Sequence, residues 1–206
     1  MPSRAQTAKS PSERVLQLAR ERGILRPKDL QDIGVPREYL RRLRDEGALE
    51  QPARGLYVLT SGKPTEHQSL AEVCKRVPQG VICLLSALQF HRLTTQLPHE
   101  VWIALHSKAW APKLDSPRLR IARFSAATLA YGVEERQIGG VVVRVFNPAK
   151  TVADCFKFRN KIGLDVALEA LRDCLAKRKA SPDEIWKAAR VCRVDKVVRP
   201  YLEAVA

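Results

Sequence analysis

The first 47 residues hold three short amphipathic segments, each ended by a glycine. Ser12 suits the N-cap of the first segment, and Pro36 suits the first turn of the third. Glycine commonly ends a helix because it adopts the left-handed backbone conformation without steric cost. The sequence therefore predicts three short helices, which end at Gly23, Gly34 and Gly47.

Two short apolar runs, "ALEQ" and "GLYVL", follow the third segment and are joined by "PARG". This pattern predicts a β-hairpin whose turn contains Pro52 and Gly55. Three short helices followed by a hairpin is the order of a winged helix-turn-helix. We therefore expect this fold over residues 12–60.

The rest of the chain mixes strands and helices. "VWIAL" and "LRIARF" read as strands, and "VEERQIGGVVVRVF" reads as a hairpin around Gly139-Gly140. The last 60 residues have helical spacing, and Ser181-Pro182-Asp183-Glu184 is a capping box that starts a helix. The predicted fold class is α+β, with the winged helix-turn-helix followed by a larger mixed α/β domain that ends in a helical segment. The predicted boundaries are 1–11 for a disordered N-terminus, 12–60 for the DNA-binding domain, 61–65 for a linker and 66–206 for the larger domain.

The charge of the chain is its most unusual bulk property. Thirty-six Lys and Arg residues stand against 22 Asp and Glu residues, which gives a formal net charge of +14 and a pI near 10.0. The excess is spread along the chain, at +4 in residues 1–62 and +10 in residues 63–206. A polyanionic partner is favoured, and the alternative is a basic solvated surface without a partner.

Cysteine usage and hydropathy indicate the compartment. The five cysteines are widely spaced, form no C-x-x-C pair and lie mostly in apolar runs, where a reduced cysteine acts as a small hydrophobe. The first 14 residues lack the apolar region of a signal peptide, and no run approaches the ~18 apolar residues of a membrane span. We expect a soluble cytoplasmic protein that has no membrane contact.

The third predicted helix and the hairpin turn are rich in arginine. With Tyr39, Leu40 and Leu43 facing the core, the other side chains of this helix fall on its exposed side. The third element of a helix-turn-helix enters the major groove, where the arginine fork matches guanine O6 and N7. The predicted contacts to double-stranded DNA are Arg37, Glu38, Arg41 and Arg42 on the helix, Arg54 at the hairpin tip, and Arg44 and Arg26 on the DNA backbone. In the alternative, these arginines pair with Glu38, Asp45 and Glu46, or the domain binds a protein.

A second basic group surrounds one acid, Asp115, in the larger domain. Its members are predicted to extend the DNA footprint or to bind RNA, and the alternative is that they only keep the protein soluble. The residues of this second basic surface are Lys108, Lys113, Arg118, Arg120 and Arg123.

Catalytic patterns do not appear in the sequence. It has no H-E-x-x-H, P-loop or G-x-G-x-x-G motif, and its carboxylates are too sparse to nominate a metal site. We therefore expect no enzyme activity, catalytic residue, bound metal or cofactor. Asp154 as an acid, or His91 as a base, is less expected than a structural role for either side chain.

Three stretches carry a resemblance to a known family. "SALQFHRLTTQLP", "NPAKTVADCFKFRNKIGLDVALEALRD" and the "RGLYVL" wing resemble the AbiEi antitoxins of type IV abortive-infection toxin–antitoxin systems, over about residues 12–180. Where related sequences often have His-Gly-Leu, this chain has His91-Arg92-Leu93.

The resemblance implies a repressor and antitoxin used in phage defence. Its winged helix would bind inverted repeats in its own operon promoter, as a dimer or cooperatively. Its C-terminal domain would neutralise a nucleotidyltransferase-like toxin, in many cases without a stable complex. Two alternatives remain: a ligand-responsive winged-helix regulator without an antitoxin role, and an enzyme that processes nucleic acid.

Overall fold

The computed structural model describes residues 9–61 and 67–205, which fold as an α+β protein of two compact units. Unit 1 extends to Glu72 and includes Gln137–Val141, and unit 2 comprises Val73–Arg136 and the chain from Val142 onwards. Residues 1–8 of the predicted disordered N-terminus and residues 62–65 of the predicted linker lie outside the described ranges. The predicted boundaries stay predictions.

Unit 1 opens with helix α1 (Pro11–Arg22), which ends at Gly23 as predicted. Its N-cap is Ser10, so the prediction of Ser12 was wrong. The Ser10 hydroxyl accepts from the backbone N–H of Glu13 at 3.2 Å, and the Glu13 carboxylate accepts from the Ser10 N–H at 2.8 Å. This reciprocal box, with Pro11 at the first helical position, begins the helix two residues early.

The second helix of unit 1 is a 3₁₀ helix (Pro27–Ile33) that ends at Gly34 in the left-handed conformation. Helix α2 (Glu38–Asp45) follows, with Leu40 and Leu43 buried. These side chains share a core with Val15, Leu18 and Leu30.

The predicted hairpin consists of strands β1 (Leu49–Ala53) and β2 (Leu56–Leu59), which pair antiparallel. An additional antiparallel bridge joins Leu25 to Tyr57. The turn is Arg54-Gly55 alone, because Pro52 lies inside β1, where the register shifts. A proline fits there since it has no N–H to donate to the ladder.

Helix α3 (Gln68–Arg76) leads into unit 2, whose sheet has the strand order β5-β4-β3-β7-β6. Its strands are β3 (Val81–Ile82), β4 (Val101–His106), β5 (Leu119–Phe124), β6 (Val133–Ile138) and β7 (Val141–Phe146). Strand β4 pairs antiparallel with β3 and parallel with β5. The predicted strands and the hairpin around Gly139-Gly140 are confirmed.

Seven described helices complete unit 2 and include the predicted helical C-terminal segment. Helix α6 is buried over most of its length and packs against α4, α8 and α9. The capping box at Ser181 starts α9 as predicted. The helices are α4 (Leu84–His91), α5 (Ala126–Ala130), α6 (Pro148–Lys157), α7 (Arg159–Ile162), α8 (Leu164–Ala176), α9 (Pro182–Cys192) and α10 (Asp195–Val205).

Candidate nucleic-acid interface

Helix α2 buries its leucines and exposes its charged side chains. Arg37, at the N-cap, and Glu38, Arg41 and Arg42 are all exposed. The side chains of Arg41 and Arg42 are 79% and 65% exposed. The residues predicted to contact bases therefore lie on one exposed region at the start and middle of a short helix.

Carboxylates on the same helix pair with several of these arginines. The Arg42 Nε lies 2.8 Å from the Glu46 carboxylate, which raises the pKa of Arg42 above its ordinary value. The Arg41 Nε lies 3.8 Å from the Asp45 carboxylate. Water and salt screen exposed i,i+4 pairs, so a phosphate can displace such a carboxylate at little cost.

Arg44 is held more firmly than Arg41 or Arg42. It lies 2.6 Å from the Asp45 carboxylate and donates a 3.0 Å hydrogen bond to the Gln51 amide oxygen in β1. Its side chain therefore connects the helix to the hairpin within unit 1. Arg54 is exposed at the hairpin turn, and Arg26 is half-buried at the start of the 3₁₀ helix.

The five side chains of the second basic surface are all exposed on unit 2. Arg123 is committed to structure, because its guanidinium donates to the carbonyls of His106 and Ala109 at 3.0 and 2.6 Å. These bonds fix the start of the loop that carries Trp110, whose surface is 85% exposed. Trp102, in contrast, is 8% exposed and belongs to the core.

A pocket of about 370 Å³ opens beside strands β4 and β5 of unit 2. Its lining includes Trp102, Arg120, Phe158, Asn160 and Lys161. The Arg120 guanidinium carbon lies 5.5 Å from the Trp102 ring centroid, and the Lys161 Nζ lies 5.7 Å from the Phe158 ring centroid. Sequence reasoning missed this pocket because its lining comes from two strands and a helix some 40 to 60 residues further along the chain.

Asp154 lies in the middle of α6, fully buried, and pairs with the fully buried ammonium of Lys150. This ion pair gives Asp154 a structural role. Burial raises the pKa of the Asp154 carboxyl, and Lys150 partly offsets this. The Lys150 Nζ also lies 4.1 Å from the Phe146 ring centroid. The pair is enclosed by the core and has no open path to a substrate within the described structure.

Three hydrogen bonds involve residues of α4 or the start of α6. The Nε2 of His91 lies 2.7 Å from the Phe146 carbonyl oxygen, which agrees with the structural role expected for this side chain. Asn147 caps α6 by accepting from the Lys150 N–H at 2.8 Å. Ser86 is buried inside α4, and its hydroxyl accepts from the Trp102 N–H at 2.9 Å.

Possible metal ligands, cysteines and membrane-spanning helices bear on what the chain can bind. Within residues 9–61 and 67–205, no group of three His, Cys, Asp or Glu side chains is arranged to hold a metal ion. All five cysteines are buried and form no disulfide, and burial raises the pKa of Cys174 to about 11. No helix of the described chain is long and apolar enough to cross a bilayer.

Comparison with known proteins found a match to a family model over the N-terminal part and a similar fold among solved structures. Residues 13–60 match the AbiEi_4 family, described as "Transcriptional regulator, AbiEi antitoxin". The crystal structure of the RV2827C protein from Mycobacterium tuberculosis is similar, with a TM-score of 0.60 at 14% identity, over 98% of this chain and 84% of that chain. No curated protein matches the chain. The match over residues 13–60 lies in unit 1 and agrees with the resemblance read from the sequence.

Proposed function

We propose that the protein is the antitoxin of a type IV toxin–antitoxin system and that it represses its own operon through a winged helix in unit 1. The observation that carries the proposal is the family match over residues 13–60, which coincides with the arginine-rich α2 and hairpin. A cytoplasmic site of action follows from this role.

Base recognition is assigned to the first turns of α2. Arg37 and Arg41 are exposed there, with Glu38 and Arg42 beside them. An arginine fork bound to guanine O6 and N7 contributes about 1–3 kcal/mol of base discrimination. Arg54 at the turn would reach an adjacent phosphate or the minor groove.

Contacts to the DNA backbone are assigned to Arg44 and to two cations at the start of the 3₁₀ helix. Arg44 is oriented by Asp45 and Gln51, which suits a phosphate contact of fixed geometry. Arg26 and the exposed Lys28 flank the start of the 3₁₀ helix and would add contacts to the DNA backbone.

One domain with few base contacts binds weakly at physiological salt, because counterions compete for the phosphates. Binding as a dimer, or cooperatively on inverted repeats, would restore affinity by presenting two copies of α2 to successive major grooves. The second basic surface on unit 2 would extend the nucleic-acid contact to promoter DNA or to an RNA on which the toxin acts.

Neutralisation of a nucleotidyltransferase-like toxin is assigned to unit 2. The test uses the full chain, expressed with the toxin gene that neighbours it, and a reporter under the DNA upstream of the operon. The wild type should restore growth and lower the reporter signal. The Arg37→Ala/Arg41→Ala variant should restore growth but leave the reporter active. Failure to restore growth contradicts the antitoxin role, and undiminished repression by the variant contradicts the α2 assignment.

A ligand-responsive regulator is the second candidate, and the pocket beside Arg120 favours it. Two results together would support this candidate over the first. A small molecule would change the affinity of the protein for its operator, and the protein would not restore growth when the toxin is expressed.

A further inference from the structure

We propose that the pocket beside β4 and β5 binds a nucleoside monophosphate unit, held by Arg120 and Lys161 on its phosphate and by aromatic contact on its base. The pocket lies wholly within unit 2 and does not depend on DNA binding by unit 1. Its volume of about 370 Å³ falls in the ~300–1,000 Å³ range of small-ligand sites.

The two cations are positioned by the aromatic side chains next to them. Arg120 extends over the Trp102 ring at 5.5 Å, and Lys161 lies 5.7 Å from the Phe158 ring centroid. Trp102 is itself fixed in the core, with its backbone N–H bonded to Ser86. An arginine held over an indole is pre-oriented, so less side-chain entropy is lost when it binds an anion.

The charge of the site matches a phosphate. Glu100 lies 3.8 Å from Arg120 and offsets part of that charge. Across the described ranges, no ion pair or hydrogen bond holds the Lys161 ammonium, which leaves its three donors to a ligand. Both cations are exposed, so an anion can reach them from solvent.

The remaining lining favours a nucleotide over a bare anion. The half-buried ring of Phe158 offers aromatic surface for contact with a base, and base–aromatic contacts contribute to nucleotide affinity. The exposed side-chain amide of Asn160 carries both a donor and an acceptor, which suits the edge of a base. The nucleotide could be free or could be the phosphorylated end of an RNA strand, and both present the same chemical unit.

The test titrates the full-length protein and follows tryptophan fluorescence. The probes are AMP, a six-nucleotide RNA with a terminal phosphate, the same RNA with a terminal hydroxyl, and inorganic phosphate. Lys161→Ala and Arg120→Gln each remove one phosphate contact and should weaken AMP or phosphorylated-RNA binding by about tenfold or more. Lys196→Ala removes the same charge from an exposed position of α10, and this variant should bind the probes as the wild type does.

Each outcome decides the proposal. Saturable AMP binding that Lys161→Ala weakens supports a free nucleotide, and binding only of the phosphorylated RNA supports a strand end. Lys161→Arg should retain most of the affinity. Four results would overturn the proposal. The two RNAs could bind equally well, or Lys196→Ala could lose as much affinity as Lys161→Ala. Inorganic phosphate could displace AMP when present at the same concentration, or no probe could bind at all. Circular dichroism of each variant separates loss of binding from loss of fold. Unchanged promoter binding by Lys161→Ala, which lies outside the second basic surface, separates the pocket from the role of unit 1.

Discussion

The Nε2 of His91, at the end of α4, lies 2.7 Å from the carbonyl oxygen of Phe146, at the end of β7. The same carbonyl accepts from the Thr151 hydroxyl of α6 at 3.1 Å. One backbone oxygen therefore joins a helix, a strand and a second helix of unit 2. This contact gives His91 a structural role, because its ring nitrogen is occupied by backbone.

The His91 contact predicts a pH-dependent stability. Burial lowers the pKa of His91, partly opposed by the Phe146 carbonyl and Glu134, while Arg136 and Lys179 lower it further. The stabilisation is fully present above the unfolded pKa of about 6.5 and is lost as pH falls through the lower folded pKa. Urea unfolding of the wild type should therefore show stability falling below about pH 6.5. His91→Gln should show a smaller fall, and equal pH slopes for both proteins would contradict this role.

Arg92 and Arg193 cap α4 and α9 in the left-handed conformation, each with φ of 59°. A side chain there costs about 1–2 kcal/mol, which glycine avoids while losing about 0.5–1 kcal/mol of backbone entropy. Arg92→Gly and Arg193→Gly should each raise the free energy of unfolding by about 0.5–1 kcal/mol. Arg190→Gly, inside α9, is the matched control and should lower it by about 1 kcal/mol. A loss of stability in both cap variants would show that the arginine side chains contribute more than the strain costs.

Removing one member of the buried Lys150–Asp154 pair should destabilise the protein far more than replacing both members. Lys150→Met leaves the Asp154 carboxylate without its cation and should lower the free energy of unfolding by about 3–5 kcal/mol. Lys150→Met/Asp154→Leu replaces both charges with apolar side chains and should recover most of that loss. Chemical denaturation of the wild type, the single variant and the double variant measures both effects. A double variant as unstable as the single one would contradict the ion-pair interpretation.

Local signals predicted much of the fold. The capping box at Ser181, the Gly139-Gly140 turn and the alternation in "LRIARF" each specify structure within a few residues, and all three are confirmed. Ser10 was missed because Ser12 also suits a cap, and only the reciprocal bonds with Glu13 distinguish them. The buried face of helix α8 includes the small side chains of Ala167, Ala170 and Cys174 as well as Leu171.

Non-local contacts explain what the sequence could not predict. The bond of Ser86 to Trp102 spans 16 residues, and the Arg120 and Lys161 pocket depends on how α7 lies beside β5. Lys150 was not recognised because an exposed and a fully buried lysine look alike in sequence. The exposed arginines of α2 were predictable because helical spacing alone separates them from Leu40 and Leu43.

Binding of promoter DNA by α2 is tested most directly by a salt-series gel shift with the full chain. The probes are the DNA upstream of the gene and a scrambled DNA of equal length. The log of the wild-type binding constant should fall linearly with the log of salt concentration, by about 0.9 per phosphate contacted, and the wild type should prefer an inverted repeat. Arg37→Ala/Arg41→Ala should lose this preference, whereas Lys187→Ala/Lys196→Ala removes two charges from unit 2 and should keep it.

A double lysine variant separates the effect of charge from the effect of the arginine fork. Arg37→Lys/Arg41→Lys keeps both charges but loses the bidentate fork, so the salt slope should persist while the preference over scrambled DNA falls by about 1–3 kcal/mol per guanine contact. If the alanine double variant binds the inverted repeat with the affinity and preference of the wild type, α2 does not read the promoter.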